Sequence, residues 1–208
     1  MRTRNPEAKR QLLFDAALAE FAEFGLAGAR IDRLAKRAGI SAGLVYSFYK
    51  GKDELFDGVF DMIVDTTVAT VPLDADRLPE YAGQLYDAGL ANPQVMRYLM
   101  WYHLLRGESA QRASVAESMR AKVEAIEQAQ QRGTVTTAQP AAHILALVLT
   151  IANMWHQPKE DIARLVPESQ RRSIVLDAVT TLVSPTGTRP VAAPFPPGES
   201  PFATRHPG

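Results

Sequence analysis

Residues 31–55, IDRLAKRAGISAGLVYSFYKGKDEL, fix how two short helices must sit against each other. Small or apolar residues fall at Ile31, Leu34, Ala35, Ala38, Ile40, Val45 and Phe48, the positions at which two helices joined by a three- to four-residue turn touch. Ala35 is small enough for the second helix to cross closely. Gly39 suits the left-handed end of the first helix, and Ser41 suits the cap of the second, its hydroxyl accepting from first-turn amides. The residues left facing outward are Ala42, Gly43, Leu44, Tyr46 and Ser47, followed by Tyr49 and Lys50. Short side chains let a helix N-terminus enter a major groove, while Tyr46, Lys50 and Lys52 are placed to reach phosphate oxygens. Arg30 and Arg33, at the entry to the first helix, join them as candidate DNA contacts.

Apolar spacing alone would fit any packed helical pair. The short-side-chain opening at Ser41–Gly43, the aromatics and lysines just after it and the charge distribution together favour the DNA reading. The chain carries 23 Lys and Arg against 23 Asp and Glu, yet residues 1–52 hold ten of the former and five of the latter. A neutral whole therefore has a basic front end, as a phosphate-binding surface requires.

With these features in place, the segment resembles the TetR family of bacterial one-component transcriptional regulators. The resemblance rests on Leu34 and Ala35, the run from Lys36 through Ser41, then Gly43, Tyr46, Lys52, Glu54 and Leu55, together with the preceding helix, and it covers roughly the first 60 residues. It departs at Arg30, where family members usually carry a capping Thr, so that cap is either weak or taken over by Asp32 in the first turn. Leu44, Phe48 and Tyr49 stand where Thr, His and Phe are frequent, and no relative's operator sequence carries over. The resemblance implies a connecting helix that swings when ligand binds, with Lys52 near the DNA backbone, and a dimer formed by the last two helices.

Ahead of this unit, residues 2–5 form a short basic arm whose Arg2 and Arg4 either touch phosphates or lie in solvent. Asn5 and Pro6 signal a helix start. Leu13, Ala17 and Phe21 recur every fourth residue, and Gly25 marks the stop. Beyond it, Lys52 to about Val71 reads as a helix carrying Leu55, Phe56, Val59, Phe60 and Ile63 on one face, with no linker between it and the reading unit. Pro72 and the Asp74–Asp76 region interrupt; Leu78 to Asn92 is the next helix.

Residues 94–106, QVMRYLMWYHLLR, are apolar on nearly every side, the pattern of a buried helix. Met96, Met100, Trp101, Tyr102 and His103 either line a cavity for a largely apolar or aromatic molecule or pack as plain core, and His103 reads as a buried core histidine. Tyr86, Met100, Trp101, His103, Met119, Asn153 and Trp155 form the candidate effector set. Glu108 to Gly133 is a surface helix with a stripe of Val115, Met119, Val123 and Ile126. Pro140 to about His156 carries more apolar residues than one face can hide, and Pro167 opens a last helix with Ile174, Val175, Ala178, Val179 and Leu182. Surplus apolar surface on segments 140–157 and 167–183 points to a homodimer, and a twofold dimer is what paired reading helices need. Trp155 fits either the dimer face or the pocket wall. Seven prolines between Pro185 and Pro207 give the composition of a disordered tail.

The expectation is thus an all-α chain: a three-helix helix-turn-helix DNA-binding domain at 1–52, a helical ligand-sensing and dimerising bundle at 53–184, and a Pro-rich tail at 185–208. Its expected partners are a double-stranded DNA operator, a small-molecule effector and a second copy of the chain. An enzyme or a small-molecule carrier is the competing class. Catalysis requires converging nucleophile, base or metal ligands, and the four histidines are not spaced as HxxxH or HExxH, nor is there a phosphate-cradling Gly-rich loop. No catalytic residue, metal or cofactor is expected. With no Cys, disulfides are ruled out. The longest apolar run, 141–155, is interrupted by His143 and Asn153 and is too short to span a bilayer, so a cytoplasmic location is expected.

Overall fold

A computed structural model describes residues 6–107, 112–157 and 160–185. Among the described residues ten α-helices succeed one another: α1 Pro6–Gly28, α2 Ile31–Ala38, α3 Ala42–Phe48, α4 Lys52–Thr70, α5 Leu78–Ala91, α6 Pro93–Arg106, α7 Ala113–Arg132, α8 Ala141–Asn153, α9 Glu160–Leu165 and α10 Glu168–Val183. No strand occurs among them.

Helix α1 begins at Pro6, whose missing N–H is one the first turn leaves unbonded anyway. The break read at Gly25 is present, but as a bend: Gly25 adopts φ 61°, ψ −176°, a region open in practice only to glycine, and the helix resumes for one more turn to Gly28. Ala29 N–H bonds back to the Gly25 carbonyl at 3.2 Å and closes that turn.

The buried side chains form two clusters. The first unites Leu13, Ala17 and Phe21 of α1, Leu34 and Ala38 of α2, Val45 of α3, and Leu55, Phe56 and Phe60 of α4 with Tyr98 and Tyr102 of α6. Its centre is aromatic. Phe21 meets Phe56 edge-on at 5.0 Å between ring centres, Phe56 lies 5.0 Å from Tyr98, and Phe60 stacks on Tyr102 at 3.8 Å. Tyr98 donates its hydroxyl to the Phe56 carbonyl, which satisfies a phenol that would otherwise be stranded in the core. The second cluster joins α5, α7, α8 and α10 around Tyr81, Tyr86, Ile126, Ile144, Val148, Val175 and Val179.

Two expectations about α6 are corrected. Only Tyr98 and Tyr102 of this helix are buried, while Met100, Trp101, Leu104 and Leu105 are 44%, 36%, 74% and 46% exposed. Its other side faces an open cleft instead of a third layer of helices, so apolar residues all round do not amount to burial. His103 is likewise exposed, touching Phe60 and Tyr102 edge-on.

Smaller differences lie at helix ends. Pro140 and Pro167 sit one residue outside α8 and α10, in extended conformation, and α8 ends at Asn153, ahead of His156. The segment after Pro158 contains α9, which its charged composition concealed. Asp74 caps a single 3-10 turn, Ala75–Arg77, by accepting from the Asp76 N–H. Glu108, the basic arm with Asn5, and the tail from residue 186 lie outside the described residues. Helix α8 turns Ala142, His143, Ala146, Leu147 and Thr150 outward, and α10 turns Ser173, Asp177, Thr180 and Thr181 outward. No described helix is long and apolar enough to cross a membrane.

Candidate nucleic-acid interface and effector cleft

The turn between α2 and α3 is built from backbone hydrogen bonds. Gly39, at φ 66° and ψ 31°, donates to the Lys36 carbonyl at 3.2 Å, and Ile40 donates to the Ala35 carbonyl at 3.0 Å. This double closure stops α2 and swings the chain into α3. Ser41 then caps α3, its Oγ accepting from Leu44 N–H at 3.2 Å. With Val45 buried against α2, the register of α3 is fixed: Ser41, Gly43, Tyr46, Ser47 and Lys50 are exposed, and Ala42 and Leu44 are half-buried. The Ser47 hydroxyl donates to the Leu44 carbonyl at 2.7 Å. Lys50 N–H is held by Glu54 at 2.6 Å, which ties the end of this unit to the first turn of α4.

A residue that spacing did not reveal holds α2 in place. Glu20 of α1 is fully buried, and its carboxylate accepts Arg30 N–H at 2.9 Å and Arg33 Nε at 2.8 and 2.9 Å. Arg30 makes no side-chain cap of its own. Neither Arg30 nor Asp32 caps α2; Glu20, from another helix, instead holds the amide at its N-terminal boundary and the Arg33 side chain. The signal was present in the sequence as an acidic residue at a core position, one turn after Ala16 and Ala17 and beside Phe21. Arg33 is accordingly engaged: besides Glu20 it donates to the Gly28 carbonyl at 3.0 Å, and its guanidinium lies 3.8 Å from the centre of the Phe24 ring.

Burial alone would push the Glu20 carboxyl upward, but the hydrogen bonds from Arg33 and Arg30 prevail and hold it below the ordinary glutamate range. A carboxyl lowered on folding stabilises the native state fully above its unfolded pKa and loses that contribution as pH falls through the native value. Acid titration of thermal stability should therefore show an extra loss below about pH 4 in the wild type that Glu20→Gln lacks. Identical titrations would contradict the latch.

Lys52 shares in the same junction. Its ammonium donates to the carbonyls of Ala27 and Ala29 at 3.2 and 3.3 Å, gripping the turn just beyond the Gly25 bend. Arg10 lies over the Phe48 ring at 5.8 Å, which adds a cation beside α3 that spacing did not single out. Lys36 and Arg37 are exposed, and Arg37 is 3.5 Å from Glu23. Farther along α4, Asp53, Asp57 and Asp61 recur every four residues on one face. Arg106 bonds to Asp57 at 2.8 Å and to Asp53 at 3.3 Å, while Arg112 engages Asp61 and lies 3.8 Å from Asp57. This ladder clamps the connecting helix to the ends of α6 and α7.

Four members of the candidate effector set converge. Met100, Trp101, His103 and Asn153 line a cleft of about 890 Å³, together with Ala22 and Glu23 of α1, Met96, Arg97 and Leu104 of α6, and His156 beyond α8. Its walls are mainly apolar with a few polar groups, as small-molecule sites are. Tyr86, Met119 and Trp155 do not line it; they belong to the second cluster, where Arg171 lies 5.3 Å above the Trp155 ring. Tyr86 backs the cleft indirectly by stacking on His156 at 5.3 Å. Burial holds the His156 imidazole below the ordinary histidine range, against the opposing hydrogen bond with the Tyr86 backbone. Tyr102 is buried in the aromatic core and does not face the cleft. Among the described residues no three His, Asp or Glu side chains group as metal ligands.

A capped helix pair presenting a short-side-chain, basic-flanked face, joined without a linker to a cleft-bearing helical body, defines a helix-turn-helix DNA-binding regulator. Residues 13–59 match the tetR family of bacterial regulatory proteins, and residues 77–181 match the tetracyclin repressor-like C-terminal domain. The HTH-type transcriptional repressor SCO4008 of Streptomyces coelicolor is 37% identical over 173 residues, which is 82% of this chain and 86% of that protein. The crystal structure of SCO4942 from the same organism superposes with a TM-score of 0.75 at 31% identity, covering 84% of this chain and 98% of that one. A TetR-family regulator from Marinobacter aquaeolei shares the fold with a TM-score of 0.69 at 19% identity, over 88% of this chain and all of that one. The chain belongs to the TetR family of DNA-binding transcriptional regulators. The names of these relatives are those of transcription regulators.

Proposed function

We propose that the protein is a cytoplasmic, homodimeric repressor that leaves a near-palindromic operator when a small, largely apolar or aromatic molecule occupies the cleft walled by Trp101. The observation that carries this is the outward face of α3: Ser41, Gly43, Tyr46, Ser47 and Lys50 are all exposed while Val45 anchors the opposite side. Repression is the role that the name of the Streptomyces coelicolor relative SCO4008 gives to that protein, and the proposal extends it to this chain. Dimerisation is assigned to α8 and α10. The small Ala142 and Ala146 and the 39% exposed Leu147 on α8 allow a second helix pair to approach closely.

Within this reading the candidate DNA contacts divide by role. Ala42, Gly43, Leu44 and Ser47 face bases; Arg30, Ser41, Tyr46 and Lys50 face phosphates. Arg33 and Lys52 also brace the unit, part of their donor capacity serving Glu20 and the carbonyls of Ala27, Gly28 and Ala29. Replacing Lys50 by Ala should weaken binding to all duplexes alike and lower the salt slope of log K by about 1, measured by titration across ionic strengths. A sequence-dependent loss with unchanged slope would remove Lys50 from the phosphate set.

The reading is tested by titrating effector candidates against operator-bound protein. Mutual antagonism is expected, with a coupling of about 1 to 3 kcal/mol, because ligand can shift a conformational equilibrium only by its differential affinity for the two states. Independent binding of ligand and operator would end the sensing part of the proposal.

A further inference from the structure

The wall of the cleft is continuous with the bend in α1. Ala22 and Glu23, just ahead of the bend, line the cleft from one side and α6 from the other; among the described residues α4 contributes nothing to its lining. At the bend itself the Trp101 indole lies against the bare Cα of Gly25, so close that a Cβ there would stand 3.2 Å from Trp101 Cδ2 and Cε2. The other part of Trp101 is open to the cleft, the residue being 36% exposed. One aromatic ring thus forms both a cleft wall and the stop against which α1 bends.

The last turn of α1, beyond the bend, is fastened to the reading unit. The carbonyls of Ala27 and Ala29 are held by Lys52, that of Gly28 by Arg33, and Arg33 and the Arg30 N–H are in turn held by Glu20, which stands before the bend. A change of angle at Gly25 therefore moves the turn 26–28 relative to Glu20 and strains the start of α2, which Glu20 holds from before the bend and the Gly28 carbonyl holds, through Arg33, from beyond it. No soft segment lies between to absorb the change, since the turn is closed by the bond from Ala29 N–H to the Gly25 carbonyl.

We propose that an occupant of the cleft acts on the reading helices through Trp101 and the Gly25 bend of α1, so that the indole against which a flat, apolar molecule lies also sets the angle between the two parts of α1. The inference rests on the cleft being the effector site. It assigns Trp101 and Gly25 as positioning residues for operator binding, although neither touches DNA, and it makes α1 a route from cleft to DNA that bypasses the clamped body of α4 and meets that helix only at its first residue, Lys52.

The test uses the full chain carrying Trp155→Phe, which leaves Trp101 as the single indole, and an operator duplex recovered by selection from a random pool. Saturating operator should shift the Trp101 emission maximum at the stoichiometry of binding. In the same background Gly25→Ala, whose Cβ both forbids the native φ and ψ and meets the indole, should shift the emission without operator and weaken operator binding by about tenfold or more. Trp101 emission that is blind to saturating operator would overturn the route, as would Gly25→Ala with undiminished affinity. Should Gly25→Ala fail to unfold cooperatively, the emission shift of the Gly25 protein alone decides. The cleft is probed separately with the aromatic fluorophore anilinonaphthalene sulfonate, which should receive excitation energy from Trp101 and lose that transfer in Leu104→Glu. Transfer without an operator-linked shift keeps the cleft and defeats the route; an operator-linked shift without transfer defeats the cleft as the site and leaves the mechanical link.

Discussion

Glu20→Ala should lower the stability of the folded chain by about 3 kcal/mol and, where the chain remains folded, weaken operator binding on every sequence alike. The side chain has no access to solvent, and its two oxygens satisfy the first N–H at the start of α2 as well as the Arg33 guanidinium. Losing the hydrogen bond to the Arg30 amide costs about 1 kcal/mol, and stranding the Arg33 donor beside a packed interior costs about 1 to 3 more, which together set the magnitude. Glu20→Gln should fall in between, because an amide oxygen can still accept from Arg30 but offers Arg33 no charge. Arg33→Ala is expected to be worse than either, since it leaves a buried carboxylate facing a single neutral donor. Urea unfolding of the three variants orders them. A Glu20→Ala loss within about 0.5 kcal/mol of zero would show that the latch is incidental.

Phe56→Ala should cost about 3 to 5 kcal/mol and reduce the cooperativity between the reading unit and α6. Phe56 is fully buried, lies edge-on to Phe21 and in contact with Tyr98 and Tyr102, and has the Arg106 guanidinium 5.3 Å above its ring. Three helices meet at this one side chain. Truncation leaves a cavity that the stacked Phe60–Tyr102 pair cannot close without breaking its own contact, so the full penalty is expected and not a relaxed one. A loss under about 1.5 kcal/mol in chemical denaturation would mean the seam repacks.

How far the molecule can be read from its residues depends on whether the determining contact is local. The turn at Gly39 and the cap at Ser41 depend on neighbours within five residues, and the structure places them as the spacing implies; of the outward set, Gly43, Tyr46, Ser47 and Lys50 are exposed, whereas Tyr49 is half-buried against the first cluster, beside Gly58 of α4, a contact that local spacing does not reveal. Glu20 and Arg33 lie thirteen residues apart and meet across two helices, so local spacing overlooks Glu20 and the bracing role that Arg33 has beside its candidate place on the DNA side. The α6 helix misleads for the opposite reason. Its composition is that of a buried element, yet burial depends on what faces it, and one of its faces meets a cleft. Within the effector set, Met100, Trp101, His103 and Asn153 come together, while Tyr86, Met119 and Trp155 are taken up by packing around α8 and α10. Aromatic residues in a helical body have the same signature whether they line space or fill it, and only the fold separates the two.

The outward face of α3 is tested most directly by selecting bound duplexes from a random pool with the wild type, with Leu44→Ala and with Ser47→Ala. A near-palindrome with half-sites about 34 to 36 Å apart is expected for the wild type, and altered base preference inside the half-sites for the two variants. If all three proteins recover one sequence with one affinity, or if the recovered sites lack twofold symmetry, another surface of the molecule meets the DNA.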